Sequence, residues 1–223
     1  MQKFDTPTPA PISAVLNIPA GRIQIIAADR TDATVEIRPA DPSKSRDTKT
    51  AEQTEITYTD GILRIHAPEP DNQLLGPAGS VEITIQLPAG SRIEAKTAAA
   101  ELRTVGRLGD VTFDGAYRHT KIDEAVGVRL TATDSDIEIG RLTGPAQITT
   151  ARGAIRITEA VTGTLELRTQ SGDITVGAAT GVSASLDAST GYGRISNSLK
   201  NDGSTALDIR ATTSHGDITA RSV

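Results

Sequence analysis

The chain has no cysteine and no tryptophan among its 223 residues, and only 2% of it is aromatic. Without cysteine there is no disulfide, no thiolate metal site and no thiol nucleophile. The five aromatic rings, Phe4, Phe113, Tyr58, Tyr117 and Tyr192, are too few for the stacking platforms that single-stranded nucleic acid needs. Excess positive charge is missing too. The formal net charge of −5 has the wrong sign for a phosphate backbone, so nucleic acid is not an expected partner. No run of about 18 apolar residues occurs, so no membrane insertion is expected, and Met1–Pro7 lacks the apolar segment of a signal peptide. A cytoplasmic location is therefore expected, and surface association would need a leader outside this sequence.

Apolar residues make up 37% of the chain, which is low for a spherical core. Ala, Val, Ile and Thr are abundant instead, and these suit a thin, two-layer β structure. Three prolines in residues 1–11 (Pro7, Pro9 and Pro11) predict a flexible lead. Residues 12–91 read as a hairpin-rich β module. Ile12, Ala14, Leu16 and Ile18 alternate up to a Pro19-Ala20-Gly21 turn, and Asp60-Gly61 is the strongest hairpin signal. Pro39–Gln53 is charged, has little to bury and predicts an exposed loop. Pro68–Ser80 predicts a second loop, with Leu74 and Leu75 tucked back onto the core.

From residue 92 the chain repeats. Gly109, Gly127, Gly144, Gly163 and Gly181 recur every 17–19 residues. Leu102, Ile122, Ile137, Ile155, Ile174, Ile195 and Ile218 form one column of aliphatic anchors. Ala95, Phe113, Leu130, Ile148, Leu167, Leu186 and Ile209 form a second. The two columns are separated by seven residues in four coils and nine in three, and the difference of two reads as tolerated bulges. Residues 92–223 thus predict a right-handed parallel β-solenoid: a flattened two-sheet roll of about seven coils of about 18 residues, with the 12–91 module stacked on it. Small corner residues precede each anchor: Ala100, Thr120, Ser135, Gly153, Gly172, Gly193 and Gly216. The column after them, Glu101, Lys121, Asp136, Ala154, Asp173, Arg194 and Asp217, alternates in sign and predicts coil-to-coil charge pairing.

The repeated phrase Thr-x-Ser-Gly-Asp-Ile in Thr169–Val176, with its cognates Thr150–Ile157 and Thr213–Ala220 and the Val81–Gly90 entry strand, resembles the bacterial putative adhesin family of repeat domains. The resemblance covers roughly residues 12–223. It implies a β-solenoid with a non-enzymatic surface, scaffold or adhesion role.

The chemistry points the same way. There is no Gly-x-Ser-x-Gly elbow, phosphate loop or His-Glu-x-x-His, so no catalytic, cofactor-binding or metal-ligating residue is expected. Ser214, His215 and Asp217 form the only tempting nucleophile cluster, and neighbouring residues of a strand face opposite ways. What remains is a row of turn-tip residues along one edge: His119, Asp134, Arg152, Ser171, Tyr192 and His215. As a recognition stripe they would engage an unknown protein or polysaccharide, and as a solvated row they would do nothing. Two other roles stay open. One is self-assembly into a homo-oligomer through an open edge of the terminal coil, Thr205–Val223. The less favoured one is a carbohydrate-active enzyme, which needs two carboxylates facing one cleft.

Overall fold

A computed structural model describes residues 2–8, 10–68 and 79–223, which form two compact units, residues 1–117 and 118–223. The protein is an all-β parallel solenoid. Alternation creates it: along most strands the burial pattern runs in period two, and the inward residues are chiefly buried Ile, Leu, Val and Ala, joined by Thr150, Thr169 and Thr213 near strand ends.

In the first unit, β1 (Gln2–Pro7), β2 (Ser13–Ala28), β3 (Asp32–Pro39), β4 (Glu55–Thr59), β5 (Ile62–His66), β6 (Val81–Pro88) and β7 (Arg92–Val105) are built around β2. Two alternating stretches of β2 meet at Pro19-Ala20-Gly21. The first pairs in parallel with β5 and β7, the second in parallel with β6 and β7. One ladder ends in the antiparallel hairpin β4–β5, turned by Asp60 and Gly61 at φ 52° and 75°. The other ends in antiparallel β3 and β1.

Two expectations fail in this unit. Gln2–Pro7, expected as part of a flexible lead, is a strand on β3. Its one proline, Pro7, does not prevent this, because an edge strand needs donors on one side only. The expected loop at Pro39–Gln53 contains α1 (Ser45–Gln53), whose Asp47, Thr50 and Ala51 are buried at helical spacing. The buried stripe is polar and small, which hides it from a search for apolar periodicity. Its docking is polar as well. Asp47 accepts a hydrogen bond from the Ser80 amide at 3.0 Å, and a Cβ on Gly79 would stand 2.5 Å from the Arg46 carbonyl oxygen. Leu74 and Leu75 lie outside the described residues.

Strand β8 (Arg107–Leu142) contributes to both units. The second unit continues with β9 (Ala146–Arg152), β10 (Ile155–Ala160), β11 (Gly163–Ser171), β12 (Ile174–Ala178), β13 (Ala184–Tyr192), β14 (Ile195–Ser198), β15 (Leu207–His215) and β16 (Ile218–Ser222). These form two parallel ladders, β8-β9-β11-β15-β13 and β8-β10-β12-β16-β14. The C-terminal coil is not last in space. It is inserted between β11–β12 and β13–β14, with partners on both sides in both ladders.

That insertion overturns three readings. First, the open edge is not Thr205–Val223 but the coil β13–β14. The anchor column Ile137, Ile155, Ile174, Ile218 is at most 1% exposed, whereas Ile195, which no further rung covers among the described residues, is 47% exposed. Second, the charge column runs Asp136, Ala154, Asp173, Asp217, Arg194 in space, so its signs do not alternate. Third, no bulge falls between the two columns. Leu165 is paired with Ile209, and Ile209 with Leu186, so Val128, Ala146, Leu165, Ile209 and Leu186 form one row, each nine residues before its anchor. The apparent spacings of seven and nine came from choosing different inward residues of the same strand.

Candidate functional site

The repeated Thr-x-x-Gly-Asp-Ile phrase turns the corner between the two ladders, and its recurring Thr, Asp and Ile side chains are taken up by contacts between rungs. Thr169 Oγ1 donates to the Gly153 carbonyl, Thr213 Oγ1 to the Gly172 carbonyl and Thr190 Oγ1 to the Gly216 carbonyl, at 2.9–3.1 Å. Glycine follows because the rungs approach too closely for anything else. A Cβ on Gly172, where φ is 152°, would sit 2.1 Å from the Gly153 carbonyl oxygen. The aspartate then reaches to the next rung. Asp136, Asp173 and Asp217 each accept, at 2.8 Å, an amide of the neighbouring coil: those of Ala154, Asp217 and Arg194 respectively. Asp217 is held below the usual carboxylate range chiefly by the Arg194 amide, then by the Arg194 guanidinium. The isoleucine enters the core. In the two early coils Thr120 and Ser135 solve the same corner differently: both are buried, with their hydroxyls 3.2 Å apart.

Outside this corner, five residues of the sequence-derived row are brought together in register, in the order Asp134, Arg152, Ser171, His215, Tyr192. The Thr120–Ser135 contact carries the sixth, His119, to the rung beside Asp134. Arg152 donates to Asp134 at 2.9 Å. Tyr192 stacks on His215 with ring centroids 5.1 Å apart and planes 10° from parallel, yet remains 75% exposed. Chain order would also put these two rings on adjacent rungs, but the insertion sets His215 between Ser171 and Tyr192 and leaves Tyr192 at the end of the row.

Among the described residues no group of three or more His, Asp or Glu side chains could hold a metal ion, and no helix is long and apolar enough to cross a membrane.

A family model described as Toastrack DUF4097 matches residues 14–221. The chain belongs to this family. Solved structures similar to this Toastrack chain include a putative adhesin from Bacteroides fragilis, 13% identical, with 98% of this chain and 96% of that one covered and a TM-score of 0.53. A putative cell adhesion protein from Clostridium sporogenes is 14% identical over 100% of this chain and 99% of that one, with a TM-score of 0.37. At 13% identity, the likeness to the Bacteroides fragilis structure speaks for the fold alone. No curated protein matches this Toastrack chain.

Proposed function

We propose that the protein is a non-enzymatic binding scaffold whose recognition surface is the corner row Asp134, Arg152, Ser171, His215 and Tyr192, with His119 at its far end. The observation that carries this is the division of labour at the corner. The residues that repeat are taken up by coil-to-coil bonds, whereas the row beside them does not repeat and is exposed on a rigid frame. Tyr192 is its most exposed large side chain, and its ring is already ordered by His215, so little entropy remains to be lost on binding. The naming of structural relatives as adhesins accords with a binding role. An enzymatic role has less support. Asp217 is held below its ordinary range by Arg194, the opposite of what a general acid at that position would need.

The test is a double substitution, Tyr192→Ala with Arg152→Ala, compared with the parent chain for capture of proteins and polysaccharides from a bacterial envelope fraction. A partner lost by the variant, with an unchanged circular dichroism spectrum, is the expected result. A partner retained in full places recognition elsewhere. Self-assembly is favoured as a second reading by the exposed Ile195 and the open strands β13 and β14.

A further inference from the structure

Resting on that binding reading, we infer that the corner binds a linear, uncharged polysaccharide laid across the coils. Gly153, Gly172, Gly216 and Gly193 follow one another from rung to rung, each with its missing Cβ position within 2.1 Å of the neighbouring carbonyl oxygen. They leave a strip without side chains. One side carries Asp134, Arg152, Ser171, His215 and Tyr192, and the other Asp136, Ala154, Asp173, Asp217 and Arg194. Successive rungs are about 4.8 Å apart, close to the length of one pyranose ring in a linear chain, so Asp134 to Tyr192 spans roughly 19 Å, or about four sugars.

The chemistry of the two borders selects the ligand class. Asp136, Asp173 and Asp217 each give one carboxylate oxygen to a backbone amide, and Asp136 and Asp173 keep a second oxygen that can accept from a sugar hydroxyl. Tyr192 ends the row with one ring face on His215 and no further rung on the other, a platform for the apolar face of a sugar. A polyanion is disfavoured. Both guanidiniums beside the strip are already engaged, Arg152 by Asp134 at 2.9 Å and Arg194 by Asp217 at 3.1 Å, and the carboxylates repel it. An extended peptide is disfavoured by hydrogen bonding. The strip runs across the strands, and the amides of Gly153, Gly172 and Gly216 are committed to the carbonyls of Ser171, His215 and Tyr192.

The experiment is titration calorimetry of the full chain with hexasaccharides of glucose, mannose and N-acetylglucosamine. A hexamer of galacturonate and a hexapeptide of alternating Thr and Val serve as the other ligand classes. Tyr192→Ala and Asp173→Asn are assayed beside the parent, each checked by thermal unfolding. Binding of a neutral hexasaccharide, weakened about tenfold in each variant, is expected. Absence of neutral binding, or binding unchanged in both variants, overturns the inference. If galacturonate or the peptide binds instead and is lost in Tyr192→Ala, the ligand class is wrong while the row still stands as the binding surface. If every ligand that binds is indifferent to Tyr192, both readings fall.

Discussion

At the scale of single residues, the corner glycines separate two effects that glycine usually combines. Gly172 has a φ of 152° and a Cβ position 2.1 Å from a backbone oxygen, whereas Gly181 has a φ of 79° and nothing within 4 Å. Gly181→Ala therefore meets only the left-handed strain of an L residue, about 1–2 kcal/mol. Gly172→Ala must in addition push two rungs apart, and a cost of roughly 3 kcal/mol or more is expected. Urea denaturation of the two variants measures the difference, and equal losses would show that the rungs yield more easily than the geometry implies. The sequence announces such glycines clearly, because Ser-Gly-Asp-Ile and its cognates repeat. What it hides is the partner of each side chain. Nothing in Asp173-Ile174 says that the carboxylate will accept the amide of Asp217, a residue 44 positions away.

At the scale of elements, alternation made most strands legible, and the misreadings share a cause. Helix α1 buries Asp47, Thr50 and Ala51, two polar residues and a small one, so its periodicity is invisible to a count of apolar residues. Neighbouring sequence positions imply coils stacked in chain order, and here space does not follow sequence. A trace of the exchange was nevertheless present. Successive anchors Ile137, Ile155, Ile174, Ile195 and Ile218 are 18, 19, 21 and 23 residues apart, and the two longest steps are those that pass over a rung and come back to fill it. The inserted coil should act as a keystone, because among the described residues β13 and β14 reach the rest of their ladders only through β15 and β16. Removing residues 207–223 should leave the amides of 184–198 exchanging at the rate of unfolded chain, while those of 146–178 stay protected. Hydrogen exchange read by mass spectrometry distinguishes this from stacking in chain order, in which residues 184–198 would keep their protection.

At the scale of the whole molecule, a solenoid must do something with its last rung. Among the described residues the protection of this one is partial. The Ala184 amide donates to the Lys200 carbonyl, and Asn201 Nδ2 donates to the Ala184 carbonyl at 3.2 Å, closing the first position of β13. Beyond it β13 pairs only with β15, and β14 only with β16, while the anchor column ends on Ile195 at 47% exposure. Arg194, with a side chain 89% exposed, and Asp187 put charge at this edge, the usual means of discouraging strand-to-strand association. The apolar end of the core and the open hydrogen-bonding groups favour pairing, and the flanking charges oppose it. The balance should give weak association that grows as salt screens the charges. Light scattering over a concentration series at low and high salt should show the mean mass rising with both variables. Ile195→Lys should hold the chain monomeric, since it places a charge where the next rung's core would begin. A parent chain that remains strictly monomeric throughout would mean that Lys200, Asn201 and the two charges are cap enough, and that the edge is finished rather than waiting for a partner.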